Sequence, residues 1–161
     1  MDLSLIIYSL KSTFFDNVSI FIQDYYIVFV LLGLILTGIF VNRKTALKIL
    51  IAVLLMFAVA SLIKDFTQEP RPCQVYALKN LECLTTQGFP SIHAGMSAIF
   101  LFFLIDTSFA FAAFLLSILV MFSRVFIGAH SIPQVIAGFC FGIMCCKLSG
   151  IIGDKIDKHV D

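Results

Sequence analysis

Three short fragments of this 161-residue chain carry side chains that could act together on a phosphate group. They lie at residues 64–72, 90–93 and 123–130 and contain two arginines, a lysine, two serines and two histidines. Arginine and lysine neutralise the negative charges of a phosphate, and guanidinium groups do so with paired hydrogen bonds. An unprotonated histidine can attack phosphorus and form a covalent intermediate. These residue types therefore allow phosphate displacement through a histidine.

Four residues are candidates for binding the phosphate oxygens. Arg71, Arg124 and Lys64 supply positive charge, which must neutralise about two negative charges of a monoester or diphosphate before a nucleophile can approach. Pro90 and Ser91 directly precede an apolar run, which predicts a helix that begins here with free backbone N–H groups at its positive end. We therefore expect Ser91 and the amides after it to form an anion cradle.

Two histidines and a glutamine are candidates for the chemistry itself. His130 stands at a predicted helix start, six residues beyond Arg124, and its imidazole could attack phosphorus. His93 would protonate the leaving group and then activate water. Gln134 lies four residues after His130 on the same helical face, so its carbonyl could accept the other ring N–H and hold the attacking tautomer. Each residue also has a structural alternative, because basic side chains often anchor at membrane boundaries and Pro-Ser often only caps a helix.

The composition indicates an integral membrane protein. Hydrophobic residues make up 60% of the chain, its mean hydropathy is +1.04, and its formal net charge is +1. Such a chain is too apolar to be a soluble domain. Residues 1–161 are therefore predicted to form a single membrane domain, all-α, built as a polytopic transmembrane bundle of five to six helices with an N-terminal interfacial helix.

Five stretches are predicted to cross the bilayer: about residues 26–41, 46–63, two helices within 94–125, and 132–148. The stretch 94–125 has 32 residues, which suits two helices folded back at the polar triplet Asp106-Thr107-Ser108. Charged residues interrupt residues 1–24, so an amphipathic helix lying in the interface is preferred over a sixth span. Gly150 and Gly153 are expected to end the last helix before a solvated tail.

The basic residues predict the orientation. Five spans divide them into two groups: Arg43, Lys44, Lys48, Lys147, Lys155 and Lys158 on one side, and Lys11, Lys64, Arg71, Lys79 and Arg124 on the other. Without the three candidate site residues the ratio is six to two, and the positive-inside rule places the first group in the cytoplasm. The same topology brings all three fragments to the outer face. We therefore expect a site that faces the periplasm or exterior of a bacterial inner membrane.

Together the fragments resemble the type 2 phosphatidic acid phosphatase (PAP2) superfamily. The family pattern is Lys-x6-Arg-Pro, Pro-Ser-Gly-His and Ser-Arg-x5-His-x3-Asp, and the chain has Lys64-x6-Arg71-Pro72, Pro90-Ser91-Ile92-His93 and Ser123-Arg124-x5-His130-x3-Gln134. The resemblance implies a metal-independent phosphatase with a helical-bundle core and no cofactor. It also implies roles for the matching residues: phosphate binding by Lys64, Arg71, Ser91 and Arg124, acid catalysis by His93, and nucleophilic attack by His130.

Two positions differ from the family pattern. Ile92 replaces the glycine, which adds a branched side chain but keeps the backbone N–H. Gln134 replaces the acid, so a protonated His130 loses a charge partner. The segment around Ser123 and Gln134 is similar to the glucose-6-phosphatase and dolichyl diphosphate phosphatase branches, where Gln at this place accompanies activity. The resemblance therefore favours an active enzyme.

A site at the outer membrane surface favours a lipid substrate whose phosphate lies at headgroup level. Candidates are lipid A 1-phosphate, a polyprenyl diphosphate such as undecaprenyl diphosphate, phosphatidylglycerophosphate and phosphatidate. The loop from about residue 65 to 92 is expected to shape headgroup access. Two other functions stay open: a phosphotransferase with the same phosphohistidine, and a non-enzymatic lipid-binding or transport protein. The expected partners are the lipid and the bilayer, no nucleic acid is expected, and the oligomeric state is open.

The five cysteines divide by position. Cys140, Cys145 and Cys146 lie in the last apolar stretch, where they are expected to pack as small apolar residues. Cys73 and Cys83 lie in the predicted outer loop, where an oxidising compartment would allow a disulfide, and the sequence is equally compatible with two free thiols. No cluster has the spacing of metal ligands, so no metal site is expected.

Overall fold

A computed structural model describes residues 2–79 and 82–160, with side chains described as far as residue 155. Within this part of the chain the regular secondary structure is helical, as predicted. The helices are α1 Leu3–Ser9, α2 Thr13–Phe40, α3 Arg43–Thr67, the single turn α4 Pro72–Val75, α5 Ile92–Leu104, α6 Ala110–Phe126 and α7 Ile132–Val160.

Three stretches are long and apolar enough to cross a membrane: Thr13–Phe40, Arg43–Val75 and Ile132–Lys155. The helices α5 and α6 are apolar but shorter, with 13 and 17 residues, or about 20 and 26 Å. They form the hairpin that the polar triplet at residues 106–108 predicts. Its turn lies beside the end of α2, where the ring centroids of Phe40 and Phe109 are 6.4 Å apart. The chain is thus an all-α polytopic transmembrane bundle.

The N-terminal segment differs from the prediction in its bounds. The helix expected over residues 1–24 is divided, because α1 is short and separate while residues 13–24 form the first turns of α2. Ser12 caps α2 by accepting a hydrogen bond from the N–H of Phe15 at 3.5 Å. Asp16 fits the positive end of this helix and pairs with Lys79 at 2.8 Å. These contacts let α2 begin earlier than its charged residues suggest.

The C-terminal segment also differs, because α7 continues to Val160 and the expected break at Gly150 and Gly153 is wrong. A glycine inside a helix costs only about 1 kcal/mol relative to alanine, which tertiary contacts can offset. Gly153 packs against the side chain of Lys48 from α3, whose Nζ lies 2.6 Å from Oδ1 of Asp154. This contact joins the start of α3 to the end of α7.

The main core lies between α3, α5 and α7. Its buried residues are Ile49, Ala52, Val53, Met56, Ala60, Met96, Ile99, Cys145 and Cys146. The last two cysteines therefore pack as predicted, whereas Cys140 is exposed, contrary to the prediction. Many large apolar side chains of α2 and α6 are exposed at the outer surface of the bundle, as lipid-facing helices require.

Glycines bring the backbones of α5 and α7 into contact. A Cβ atom added at Gly138 would overlap the backbone of Ser91, and one added at Gly142 would overlap the backbone of Gly95. Small residues allow such close approach between membrane helices. As a result, the start of α5 lies directly against the first turns of α7.

Candidate active site

The three predicted fragments meet at one end of the bundle. Lys64 lies in the last turn of α3, His93 in the first turn of α5, and Arg124 in the last turn of α6. Arg71 precedes α4, and His130 precedes α7. Five of the seven predicted site residues are buried: Arg71, Ser91, Arg124, His130 and Gln134. The convergence expected from the topology is therefore present.

Arg71 is fixed by hydrogen bonds along its whole guanidinium group. Its Nε donates to the carbonyl oxygen of Thr86 at 2.7 Å, and its Nη2 donates to the hydroxyl of Thr86 at 2.9 Å. Its Nη1 donates to the carbonyl oxygen of Ala129 at 2.8 Å and lies 3.1 Å from Nε2 of His130. The guanidinium plane is therefore held with one edge against the imidazole.

These contacts determine the tautomer of His130. Nδ1 lies 2.6 Å from the carbonyl oxygen of Gly88, which can only accept, so Nδ1 carries the proton. Nε2 faces Nη1 of Arg71, which can only donate, so Nε2 presents its lone pair. The ring is neutral, and its unprotonated nitrogen points at a guanidinium group. Imidazole attacks phosphorus in this form.

Burial and nearby positive charge keep the imidazole neutral. Burial lowers the pKa of His130 well below its usual value of 6.5, and Arg71, His93 and Lys64 lower it further through electrostatic repulsion. The hydrogen bond to Gly88 acts in the opposite direction, but the net shift is downward. His130 is therefore unprotonated at neutral pH.

The predicted hydrogen bond between Gln134 and His130 is wrong. The oxygen Oε1 of Gln134 accepts from the N–H of Ser131 at 3.1 Å, and its Nε2 donates to Oε1 of Glu69 at 2.8 Å and to the carbonyl oxygen of Pro70 at 3.1 Å. Ser131 immediately precedes α7 and Gln134 is its third residue, so this is one half of a capping box. The Ser-x-x-Gln signature of that cap is readable in the sequence.

The loop between α4 and α5 presents backbone carbonyl groups to the cations. Nζ of Lys64 donates to the carbonyl oxygen of Gln87 at 2.5 Å, next to Thr86, which Arg71 binds. The following residue, Gly88, accepts from His130. Three consecutive residues of this loop therefore orient three site residues. Sequence reasoning missed them because backbone groups leave no side-chain signal.

Arg124 is fully buried and points toward α2. Its Nη2 donates to the carbonyl oxygen of Ser19 at 2.5 Å and its Nη1 to Oε1 of Gln23 at 3.5 Å. Its Nε donates to the hydroxyl of Ser123, the residue before it in the motif, at 3.1 Å. The carbonyl oxygen of Arg124 accepts from the N–H of His130 at 3.0 Å, which ties the two residues together.

One ring nitrogen of His93 has no partner among the described residues. Its Nε2 is buried and makes no hydrogen bond within the part of the chain that the structure describes. The imidazole packs on Tyr26 of α2, with ring centroids 4.3 Å apart. A buried polar atom without a partner is unusual in a native protein. His93 is therefore available to bond with a ligand in the site.

One stripe of α2 lines the site. Ser19, Gln23 and Tyr26 follow the i, i+4, i+7 spacing of a single helix face, and the first two contact Arg124 while the third contacts His93. Ser19 and Gln23 were not predicted to line the site because residues 1–24 were expected to lie in the interface, outside the first span. The polar spacing itself was the signal.

Ser91 caps α5, as the Pro-Ser pair predicts. Its hydroxyl accepts from the N–H of Ala94 at 3.5 Å, and its own N–H donates to the carbonyl oxygen of Gln134 at 3.1 Å. The side chain is fully buried. Ser91 therefore ties the start of α5 to α7, and its part in the predicted anion cradle stays a prediction.

The short helix α1 supports the loop that carries His130. The hydroxyl of Ser4 accepts from the N–H of Ile132 at 3.0 Å. The buried ring of Tyr8 packs so closely on Gly128 that a Cβ atom there would lie 2.6 Å from it. Gly128 has a φ of +71°, a left-handed conformation that favours glycine. Ser4 and Tyr8, spaced i, i+4, were not predicted to act on the site.

A cleft of about 340 Å³ opens beside the partners of Arg71 and Arg124. It is lined by Ile20, Gln23, Asp24, Cys73, Glu82, Leu84, Ile127 and Ala129. Two of these residues, Gln23 and Ala129, also accept hydrogen bonds from Arg124 and Arg71. The cleft therefore adjoins both guanidinium groups.

A disulfide closes the loop that forms one wall of the cleft. Cys73 and Cys83 are bonded, with a Cα–Cα distance of 5.8 Å. The backbone N–H of Cys73 also donates to the carbonyl oxygen of Gly128 at 2.9 Å, which attaches the loop to the segment before His130. The pairing that the sequence left open is thus present.

Comparison with known proteins agrees with this geometry. The PAP2 superfamily model matches residues 45–155, which include every predicted site residue. Among solved structures, the chain is similar to LpxE from Aquifex aeolicus, with a TM-score of 0.76 and 23% identity over 91% of this chain and 92% of that one. It is also similar to a transmembrane PAP2-type phosphatidylglycerolphosphate phosphatase from Bacillus subtilis, with a TM-score of 0.72 and 18% identity over 95% of this chain and 83% of that one.

These comparisons carry different weights. At such low identities, the two solved structures establish a common fold. No curated protein sequence matches the chain. The superfamily match, however, spans well over half of the chain and contains the arginine, serine and histidine fragments described above. The chain therefore belongs to the PAP2 superfamily, whose members are phosphoric ester hydrolases.

Proposed function

We propose that this protein is a metal-independent phosphatase that hydrolyses a phosphomonoester or diphosphate of a membrane lipid through a phosphohistidine at His130. The contact between Arg71 and His130 carries the proposal, because it aims the lone pair of Nε2 at a group that would hold phosphate oxygens. A phosphate bound by this guanidinium would bring its phosphorus within reach of the ring nitrogen.

The excess of positive charge in the site supports phosphate binding. Within the described residues, no carboxylate lies at salt-bridge distance from Lys64, Arg71 or Arg124, whereas Lys48 and Lys79 each form such a pair. Buried charges normally have a counter-ion. We propose that the phosphate of the substrate is this counter-ion and that Ser91, at the start of α5, completes its binding site.

Hydrolysis would take place in two steps. First, Nε2 of His130 forms a bond to phosphorus while the bond from phosphorus to the leaving oxygen breaks, and His93 gives that oxygen a proton. The charge of the bound phosphate favours the protonated form of His93. Second, His93 removes a proton from water, whose oxygen bonds to phosphorus as the bond to His130 breaks. Inorganic phosphate leaves, and both histidines return to their initial states.

The unpaired Nε2 of His93 supports its role as the acid and base. A proton donor must lie within hydrogen-bond reach of the leaving oxygen, and this buried nitrogen has no other partner among the described residues. In contrast, both ring nitrogens of His130 are in contact with fixed groups. The two imidazoles are therefore suited to different tasks.

A lipid substrate is supported by the position of the site. The cationic residues lie at the ends of apolar helices, where a lipid phosphate would rest at headgroup level, and the adjoining cleft offers room for the rest of a headgroup. We propose lipid A 1-phosphate, a polyprenyl diphosphate or phosphatidylglycerophosphate as the substrate. The Bacillus subtilis neighbour is a phosphatase of the third of these lipids, which supports its inclusion.

The proposed location is a bacterial inner membrane with the site on the periplasmic side. Two observations support this orientation. The disulfide of Cys73 and Cys83 lies in the loop beside the site, and disulfides persist in oxidising compartments. At the opposite end, Arg43 and Lys48 belong to the basic group that the positive-inside rule assigns to the cytoplasm.

The direct test measures free phosphate released by the purified protein in detergent with a chelator present. The protein would be offered the three proposed lipids and phosphatidate as substrates. We expect release from at least one of them, and a loss of more than about 1,000-fold in kcat for His130→Ala. Retained release by this variant would contradict the phosphohistidine. A requirement for added metal would contradict metal independence.

The same assay separates the two alternatives. A phosphotransferase would transfer the group to a second lipid and release little inorganic phosphate. A non-enzymatic lipid-binding protein would release none, and its lipid affinity would survive the His130→Ala change. A substrate with a radioactive phosphate group should label the wild-type protein through an acid-labile bond. Absence of this label from His130→Ala would identify the phosphohistidine directly.

A further inference from the structure

The imidazole of the proposed nucleophile is oriented by a backbone carbonyl instead of a carboxylate. Nδ1 of His130 bonds to the carbonyl oxygen of Gly88 at 2.6 Å. A carbonyl oxygen lies on the main chain of a loop, so its position depends on what holds that loop. The orientation of His130 therefore depends on the contacts of Gly88.

Gly88 is buried and is held on two sides. Its N–H donates to the carbonyl oxygen of Glu69 at 2.7 Å. On the other side it packs on the amide of Gln134, since a Cβ atom at position 88 would lie 2.6 Å from Oε1 and 2.7 Å from Nε2 of that side chain. A displacement of Glu69 or Gln134 would therefore move the carbonyl group that bonds to His130.

Glu69 and Gln134 also bond to each other. Nε2 of Gln134 donates to Oε1 of Glu69 at 2.8 Å, while its Oε1 is held by the N–H of Ser131. Glu69 therefore contacts Gly88 through its main chain and Gln134 through its side chain. The three residues form one network that joins the start of α7, the segment before Arg71 and the loop before α5.

We infer that Glu69 and Gln134 are positioning residues that hold the carbonyl group of Gly88 on Nδ1 of His130. This inference rests on the proposed role of His130 as nucleophile. It also explains why position 134 holds an amide where the superfamily pattern has an acid. A carboxylate here would face Glu69 at 2.8 Å, and two like charges at that distance repel each other.

Glu69 offers the clearest test because its side chain is exposed, so its replacement leaves the core intact. We expect Glu69→Ala to lower kcat by about 10- to 100-fold with little change in KM, since the nucleophile is misplaced but the cations remain. The kcat of Glu69→Gln should stay near the wild-type value, because the amide oxygen of the new side chain can accept the same hydrogen bond from Gln134. Asp65→Ala, which removes another exposed carboxylate at the same end of α3, is the matched control.

A charge exchange tests the pairing itself. We expect Gln134→Glu alone to lower kcat, and the double variant Gln134→Glu with Glu69→Gln to recover much of the loss, because a donor again faces an acceptor. The melting temperature of each variant in detergent identifies those that fail to fold. No recovery in a folded double variant would overturn the pairing of these two residues.

Nitrogen NMR of the ring of His130 provides a readout that needs no substrate. The wild-type ring should show a protonated Nδ1 and an unprotonated Nε2, and Glu69→Ala should shift it toward a mixture of tautomers. If Glu69→Ala keeps both the wild-type tautomer of His130 and the wild-type kcat, the inference is overturned, while the proposed phosphatase function stands. Absence of phosphate release from wild type would instead overturn the proposed function, and the catalytic part of the inference with it.

Discussion

Nη1 of Arg71 lies 3.1 Å from Nε2 of His130, and both side chains are buried. A guanidinium group stays protonated in proteins, so this contact places a permanent cation beside an unprotonated ring nitrogen. The same cation lowers the pKa of His130 and is proposed to bind a phosphate oxygen. In the proposed mechanism Arg71 therefore serves both the binding of the anion and the protonation state of the nucleophile.

Replacement of Arg71 by lysine should be far from conservative. An ammonium group keeps the charge but cannot bond at once to Thr86, Ala129 and His130, as the planar fork does. We expect kcat/KM to fall by about 100-fold, or about 2.7 kcal/mol of transition-state stabilisation. The matched control is Arg43→Lys at the other end of the bundle, which should retain activity. Equal activity of both variants would show that the fork geometry is unimportant.

The pH profile should reflect the lowered pKa of His130. Attack requires the neutral ring, which predominates above the pKa, and burial together with nearby cations holds that pKa well below 6.5. Activity should therefore persist as the pH falls toward 6.5, and the loss caused by protonation of His130 should occur at lower pH. Titration of its ring nitrogens by NMR from about pH 8 to about pH 4.5 checks this. A midpoint at or above 6.5 would contradict it.

The helix α1 should be required for full activity although it lies outside the motif. Tyr8→Ala removes the buried ring that packs on Gly128, a loss of about 3 kcal/mol in a well-packed site. We expect a lower melting temperature and a lower kcat, because the loop before His130 loses its support. Tyr8→Phe keeps the ring and should behave as wild type. Leu3→Ala, at a side chain that is 57% exposed, serves as the surface control.

The disulfide should stabilise the loop beside the cleft. Cys73 and Cys83 close a short loop, and such a cross-link contributes about 2 to 3 kcal/mol by restricting the unfolded chain. We expect the double serine variant, or wild type treated with a reductant, to show a lower melting temperature and a higher KM. Cys140→Ser should change neither, since that thiol is free and exposed. An unchanged KM without the cross-link would separate this loop from substrate binding.

Much of the site follows from the sequence because charged and polar residues cannot remain inside the hydrocarbon layer without partners. The apolar runs therefore indicate which residues lie near helix ends at the site, and the count of spans brings Lys64, Arg71 and His93 to one end of the bundle. The same argument places Arg124 and His130 at that end. The family resemblance of the three fragments is confirmed by the superfamily match.

The bounds of the terminal helices did not follow from the sequence. Residues 13–24 carry charges that suggested an interfacial segment, yet Asp16 is satisfied by Lys79 from a distant loop. Likewise, α7 passes through two glycines because Lys48 and Asp154 hold its end against α3. Contacts between residues far apart in the chain overrode the local signals in both places.

The sequence by itself determined the helical membrane architecture and the set of residues proposed to bind and attack a phosphate. Only the tertiary structure decided which groups orient His130: the guanidinium of Arg71 on one side and the carbonyl group of Gly88 on the other, with Gln134 bonded to Glu69 instead. The physical reason is that every residue carries a carbonyl group. Which of them faces the imidazole depends on the path of the loop before α5, and that path is set by packing.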